Sequence, residues 1–167
     1  MLCLNESYFG DLMPEQEIRK QISALLQSQL LAVLSTQRQG QPYSSLIAFA
    51  CTDDLTTLIF ATPKATRKFS NLMSDPRVSL LVDNRSNKDS DFHEASAVTI
   101  LGEVHHISEN DIERYMSLYL KRHPYLDNFI NSPTTAFLKV TVKHYILVNR
   151  FQHVMELHLT DEMDLFS

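Results

Sequence analysis

Along residues 14 to 61 the hydrophobic pattern changes period once. Ile18, Ile22, Leu25 and Leu26 recur at helical spacing and predict a helix over about residues 14–28 with one apolar face. Pro14 suits its first turn, and Glu15 and Glu17 sit at the positive end of the helix dipole. Leu30 to Thr36 is a short apolar run and predicts a buried strand. Gln39-Gly40-Gln41-Pro42 is turn chemistry. Tyr43 to Cys51 reads as a second strand, Asp53-Asp54 as a turn, and Thr57 to Ala61 as a third strand with β-branched and aromatic content. Strands joined this closely predict an antiparallel meander, because a parallel crossover needs about a dozen residues or more.

Thr62 to Met73 reads as a helix with Phe69, Leu72 and Met73 as its stripe, stopped by Asp75-Pro76. Val78, Leu80 and Val82 alternate in a fourth strand over Arg77–Asp83, and Asn84 to Ser90 is a polar loop. A fifth strand covers Ser96–His106, where Gly102 predicts a bulge or a close backbone approach. Ser108-Glu109-Asn110-Asp111 resembles a capping box with Asp in place of Glu. The helix behind it carries Ile112, Tyr115, Met116 and Tyr119, and Pro124 ends it; Tyr125 to Ile130 adds a short helical turn. Ala136–Val142 and His144–Val148 read as two strands, and Gln152–Leu157 as a weak last one. Asp161-Glu162-Met163-Asp164 reads as part of a frayed acidic tail over about residues 159–167. The whole predicts one domain over 1–167 of class α+β, an antiparallel barrel of six or seven strands with peripheral helices.

Composition narrows the function classes. The net charge of −5 and the lack of a basic stripe argue against nucleic acid as partner. No run of about 18 apolar residues exists, so no membrane span is expected. The first residues, Met1-Leu2-Cys3-Leu4-Asn5-Glu6, have no basic n-region and do not read as a signal peptide. Two cysteines, Cys3 and Cys51, make neither a disulfide framework nor a metal set, and a reduced, cytoplasmic setting is the expectation. Adjacent His105 and His106 point to opposite faces of a strand and cannot share one ion. His93 with Glu94 sits in a polar loop with no third ligand nearby, so no metal site is predicted. His153 and His158 are the candidates for a haem ligand, against the plainer reading of surface histidines.

The chemistry concentrates in Thr62-Pro63-Lys64-Ala65-Thr66-Arg67-Lys68, where a strand gives way to a helix. A helix start presents free N–H groups and partial positive charge, which suits phosphate. Thr66 or Thr62 can cap, Arg67 offers a planar fork for bidentate contact, and Lys64 and Lys68 add point charges. Cations at this end oppose the helix dipole, and a bound anion would relieve that. A solvated basic turn is the alternative reading of the same run.

In order, Leu31-Ala32-Val33-Leu34-Ser35-Thr36, Gln41-Pro42-Tyr43-Ser44-Ser45-Leu46-Ile47, Ile59-Phe60-Ala61-Thr62, Thr66-Arg67-Lys68-Phe69-Ser70-Asn71-Leu72, Asp75-Pro76-Arg77-Val78-Ser79-Leu80-Leu81 and Val98-Thr99-Ile100-Leu101-Gly102-Glu103 resemble the pyridoxamine 5′-phosphate oxidase-like FMN-binding family. That resemblance implies a split β-barrel and an FMN cofactor whose phosphate is held at Thr66, Arg67 and Lys68. It also implies flavin contacts from Ala61 and Thr62 and from the strand at Ser44, Ser45, Leu46 and Ile47. It further implies a homodimer with FMN at the interface; Asn84, Arg85 and Arg150 are the polar candidates for completing the site from the second subunit. The implied activity is a flavin oxidoreductase with a small-molecule electron donor or acceptor. Ser45 and Ala50 stand where true pyridoxamine-phosphate oxidases carry Arg and Lys, so oxidation of that vitamin is not expected. Arg122-His123-Pro124 and Tyr145-Ile146-Leu147-Val148 resemble the haem-utilisation branch instead. A non-catalytic flavin-binding protein, or a haem-binding or haem-degrading split barrel, are therefore the alternatives.

Overall fold

The computed structural model describes residues 15–150 and 153–160. Expectations for Cys3, Pro14, Gln152, the first residues and the acidic tail at 161–164 lie outside them. The elements are α1 (Glu15–Ser28), β1 (Leu31–Arg38), β2 (Gln41–Cys51), β3 (Thr57–Pro63), α2 (Arg67–Ser74), β4 (Arg77–Asp83), α3 (Asp91–Glu94), β5 (Ser96–His106), α4 (Glu109–Arg122), a 3-10 turn (Pro124–Leu126), α5 (Asp127–Ile130), β6 (Thr135–Asn149) and β7 (His153–His158).

All strand pairs are antiparallel, in the order β3-β2-β1-β4-β5-β6-β7, and β3 also pairs with β6. That last pairing closes six strands into a barrel and leaves β7 as an addition. Period-2 alternation sorts each strand into an inner and an outer face. Ala32 and Leu34 of β1, Val78, Leu80 and Val82 of β4, and Val98 and Ile100 of β5 fill the interior with Leu138, Val140, Tyr145 and Leu147 of β6. Ile22, Leu25 and Leu26 of α1 plug the barrel, as the helical spacing predicts. No helix among the described residues is long and apolar enough to cross a membrane.

The structure departs from the sequence reading at four points. The helix does not begin at Thr62. β3 runs on to Pro63 because Ala61, Thr62 and Pro63 pair with Phe137, Ala136 and Thr135, and the helix starts only at Arg67 behind its cap Thr66. The two strands read at Ala136–Val142 and His144–Val148 are one. Their register against β5 shifts between Leu101 and Gly102, so Lys143 is an extra residue and the alternation changes phase there. Gly102 is the enabling residue, since a Cβ on it would lie 2.4 Å from the Thr141 carbonyl oxygen. At Ser108 the hydroxyl donates to the Asp111 carboxylate at 2.7 Å instead of capping α4 through the backbone. His93 and Glu94 lie in the short helix α3 rather than in loop.

Arg122 and His123 have a structural part. α1 has no basic residue in its last turn. Arg122 supplies one from α4: its guanidinium donates to the carbonyls of Leu26, at 2.6 Å, and of Gln27 and Gln29. It also lies over the Phe49 ring, 5.4 Å from its centre. Buried His123 holds its Nε2 2.7 Å from the Phe49 carbonyl oxygen. The orphan carbonyls of a helix end are thus satisfied in trans.

Candidate functional site

The strand pairing leaves a gap in the barrel wall. β2 meets β3 only through Phe49↔Phe60, Ala50↔Ile59 and Cys51↔Leu58. Before Phe49, β2 pairs with β1 alone; after Phe60, β3 pairs with β6 alone. The main-chain edges of residues 44–47 and of Ala61–Pro63 therefore diverge on either side of an opening. An edge of this kind presents N–H and C=O groups free to bind something else.

Helix α2 begins at one end of that opening. Thr66 caps it: the hydroxyl accepts from Phe69 N at 3.3 Å and donates to the Pro63 carbonyl at 2.8 Å, with Thr62 Oγ1 3.2 Å away. The N–H groups of Arg67 and Lys68 stand in the first turn, where no intrahelical acceptor exists. Asn71 anchors the helix by donating to Thr36 Oγ1 at 3.0 Å, and Thr36 in turn donates to the Tyr43 carbonyl. This brings Tyr43 under Arg67, whose guanidinium carbon lies 5.5 Å from the ring centre.

The electrostatics favour an anion. Among the described residues no carboxylate pairs with Arg67 or Lys68, although Asp75, Asp83 and Glu103 all carry basic partners elsewhere. Lys68 is half-buried, and desolvation pulls its ammonium below the usual lysine range. Ser45 Oγ is buried with no hydrogen-bond partner among the described residues. A cation losing water at the helix start and an orphan hydroxyl on β2 are each what a polar, phosphate-bearing ligand would satisfy. The residues present fit an FMN phosphate and ring edge in that sense.

The predicted residues divide accordingly. Thr62, Thr66, Arg67 and Lys68 come together at the helix start. Ala61 and Thr62 are buried, so what they offer the opening is backbone. On β2, Ser44 and Leu46 face out, Ile47 points into the core, and Ser45 is half-buried. Lys64 turns away: its ammonium donates to the Pro133 carbonyl at 2.9 Å. Asn84, Arg85 and Arg150 are not brought to α2 in one chain. Asn84 Oδ1 accepts from Ser96 N at 2.7 Å, and Arg85 pairs with Asp83 at 3.3 Å, beyond the far end of β4. Arg85 lines a cavity of about 190 Å³ with Leu81, Asp83 and Ala97. Arg150 lines a larger one of about 680 Å³ with Gln21, His93, Asn149, His153 and Met155. The pairing of Tyr43 with Arg67 follows from the β1–β2 register and the Thr36–Asn71 bond, which the local sequence does not show.

Comparison with known proteins agrees with this architecture. A chloroplastic protein of Arabidopsis thaliana, named as a non-canonical heme oxygenase, is 27 % identical over 124 residues, covering 74 % of this chain. The chain spans 37 % of that relative's length. Among solved structures, a heme binding protein from Mycobacterium smegmatis superposes with a TM-score of 0.74 at 15 % identity, covering 87 % of this chain and 58 % of the other. A FAD-binding protein from Mesorhizobium loti superposes with a TM-score of 0.62 at 15 % identity, covering 77 % and 91 %. At such identities the superpositions speak for the fold. The pyridoxamine 5′-phosphate oxidase family matches over residues 18–149, the helix α1 and the whole barrel, and the chain belongs to that family.

Proposed function

We propose that the chain is an FMN-binding flavoprotein, an oxidoreductase that exchanges electrons with a small molecule in a reduced, cytoplasmic setting. The observation that carries this is the pair Arg67 and Lys68, without a carboxylate partner among the described residues, at a helix start beside an open strand edge. In this reading Arg67, Lys68 and their backbone N–H groups hold the phosphate. Ser45 Oγ and the main chain of residues 44–47 and 61–62 meet the polar edge of the ring. FMN would supply the redox chemistry, and the protein binding and orientation. No side chain here marks a catalytic acid or base. Ser45 and Ala50 leave no basic grip for pyridoxamine phosphate on β2.

A homodimer is part of the proposal. The outer face of the sheet carries the row Leu46–Val33–Leu81–Thr99–Ile146, from β2 to β6, apolar but for Thr99. Leu46 is 64 % exposed and Leu31, one turn of the pleat away, 52 %. An exposed, mainly apolar face of this kind suits an interface. Pairing through it would let Asn84, Arg85 or Arg150 of a second copy approach the opening from outside.

Purified protein titrated with FMN should quench flavin fluorescence to a one-to-one endpoint and show bands at roughly 370 and 450 nm. Bleaching by an anaerobic reductant such as NAD(P)H would support the oxidoreductase reading over simple flavin storage. Absence of any FMN binding would sink both. A haem reading has its own observation: His93, His153, Met155 and Arg150 line the cavity of about 680 Å³, a size typical of small-molecule sites (about 300–1,000 Å³). A Soret band on adding haemin, with no flavin bound, would favour it.

A further inference from the structure

β6 and β7 pair from His144↔His158 to Asn149↔His153. Opposed residues on neighbouring strands project to the same face, and so do residues two apart on one strand. His144, His158 and Glu156 therefore share a face. The bulge at Lys143 is what puts His144 there: it takes His144 out of phase with Val142, which lies in the barrel core, and turns it outward.

The three side chains converge closely. His144 Nε2 lies 3.1 Å from Glu156 Oε2, and His158 Nε2 lies 3.4 Å from the same oxygen. The imidazoles stack with centroids 3.9 Å apart. All three donor atoms fall within 4.8 Å of one another. Zinc bonds of about 2.0–2.2 Å to nitrogen and oxygen, set tetrahedrally, put neighbouring donors about 3.3–3.6 Å apart. The two histidine–carboxylate separations are close to that figure; for both imidazole lone pairs to meet one ion the stack must open, and the exposed His158 ring is the one free to turn. His144 is 5 % exposed and held by the sheet. Glu156 and His158 are 48 % and 60 % exposed in their side chains, which leaves an entry path. Two imidazoles with one carboxylate select borderline transition metals over calcium or magnesium, which prefer oxygen cages.

We propose that His144, Glu156 and His158 bind a zinc-type divalent transition-metal ion through three protein donors, leaving a fourth position open to water or an incoming ligand. The site is separate from the opening at β2. Along β6, His144 stands seven residues beyond Phe137, the partner of Ala61 at the opening, about 20 Å at roughly 3.3 Å per residue with one residue taken up by the bulge.

The test is calorimetric titration of Zn²⁺ into the full chain after chelator treatment, with Co²⁺ absorption as a probe of tetrahedral geometry. The expected result is one equivalent of saturable binding, weakened about tenfold or more by either His158→Ala or Glu156→Gln. Arg67→Ala should leave it unchanged. Both substituted positions are largely exposed, and circular dichroism checks that the fold persists. No saturable binding up to about 1 mM Zn²⁺ would overturn the proposal. So would one-equivalent binding kept intact in the double variant, which would place the ion at another histidine.

Discussion

Truncating Arg67 tests the cofactor grip most directly. Its guanidinium is exposed, free of carboxylates among the described residues and laid over Tyr43 at 5.5 Å. That ring contact, worth about 0.5–1 kcal/mol at an exposed site, exists with or without ligand. It pre-aligns the fork and does not enter the difference. What Arg67→Ala removes is a charge-assisted phosphate contact worth about 1.5–3 kcal/mol. At 1.4 kcal/mol per decade, the FMN Kd should rise about 10- to 150-fold. Solvent borders the site, so the lower half of that range is the expectation. The assay is fluorescence quenching with two ligands, FMN and riboflavin, which share the ring and differ by the phosphate. Riboflavin affinity should stay within about twofold of the unmodified protein. An unchanged FMN affinity would refute the phosphate assignment. An equal loss for both flavins would show that Arg67 acts on the ring or on the fold instead.

Further consequences can be measured separately. Gly102→Ala sets a Cβ 2.4 Å from the Thr141 carbonyl oxygen and 2.8 Å from Val140 Cγ1; the backbone cannot yield, so about 2–3 kcal/mol of stability should be lost, a drop of roughly 4–12 °C in Tm, and an unchanged melt would contradict the close approach. Leu81→Glu, in the middle of the outer apolar row, should weaken a dimer by about a hundredfold or more through an unpaired buried charge; light scattering at micromolar concentration would read monomer, and a persistent dimer would mean the interface lies elsewhere. Asp75 accepts from Arg77 Nη2 at 2.6 Å, from Arg77 N at 3.0 Å and from the Gln37 side-chain amide, and these bonds hold its carboxyl well below the usual range. A carboxyl whose folded pKa is depressed stabilises above its unfolded pKa, about 3.9, and loses that contribution as pH falls through the folded value. Asp75→Asn should therefore destabilise at pH 7 and converge with the unmodified chain in acid; a pH-independent difference would point to packing.

Most of the barrel could be read from period alone, because β1, β4 and β5 each bury one face and solvate the other. The reading failed where backbone geometry overrode local pattern. β6 looked like two strands because one extra residue, Lys143, flips the alternation midway. The helix start at Thr62 was misplaced because two further residues, Thr62 and Pro63, found partners on β6, a pairing across the chain that no local window contains. The same limit hid the site's shape. Thr66, Arg67 and Lys68 were visible as a cationic helix start, but the opening beside them comes from β2 and β3 parting company after a few residue pairs. The cluster at His144 was invisible for a related reason. Its ligands sit on two strands, and an in-phase His144 would have faced the core. Only Glu156-x-His158, two potential ligands at strand spacing, was there to be noticed.

β6 also governs when the protein can become whole. Its first half seals the barrel against β3, and 72 residues separate Pro63 from Thr135. At ribosomal speeds of about 5–20 residues per second, the opening meander of β1, β2 and β3 must wait roughly 4–14 s for its closing strand. During that interval β3 offers an unpaired edge to any neighbouring nascent chain. Assembly of this chain is therefore timed from its C-terminal third, and substitutions in β6 should show first as aggregation during synthesis, ahead of any loss in the finished protein.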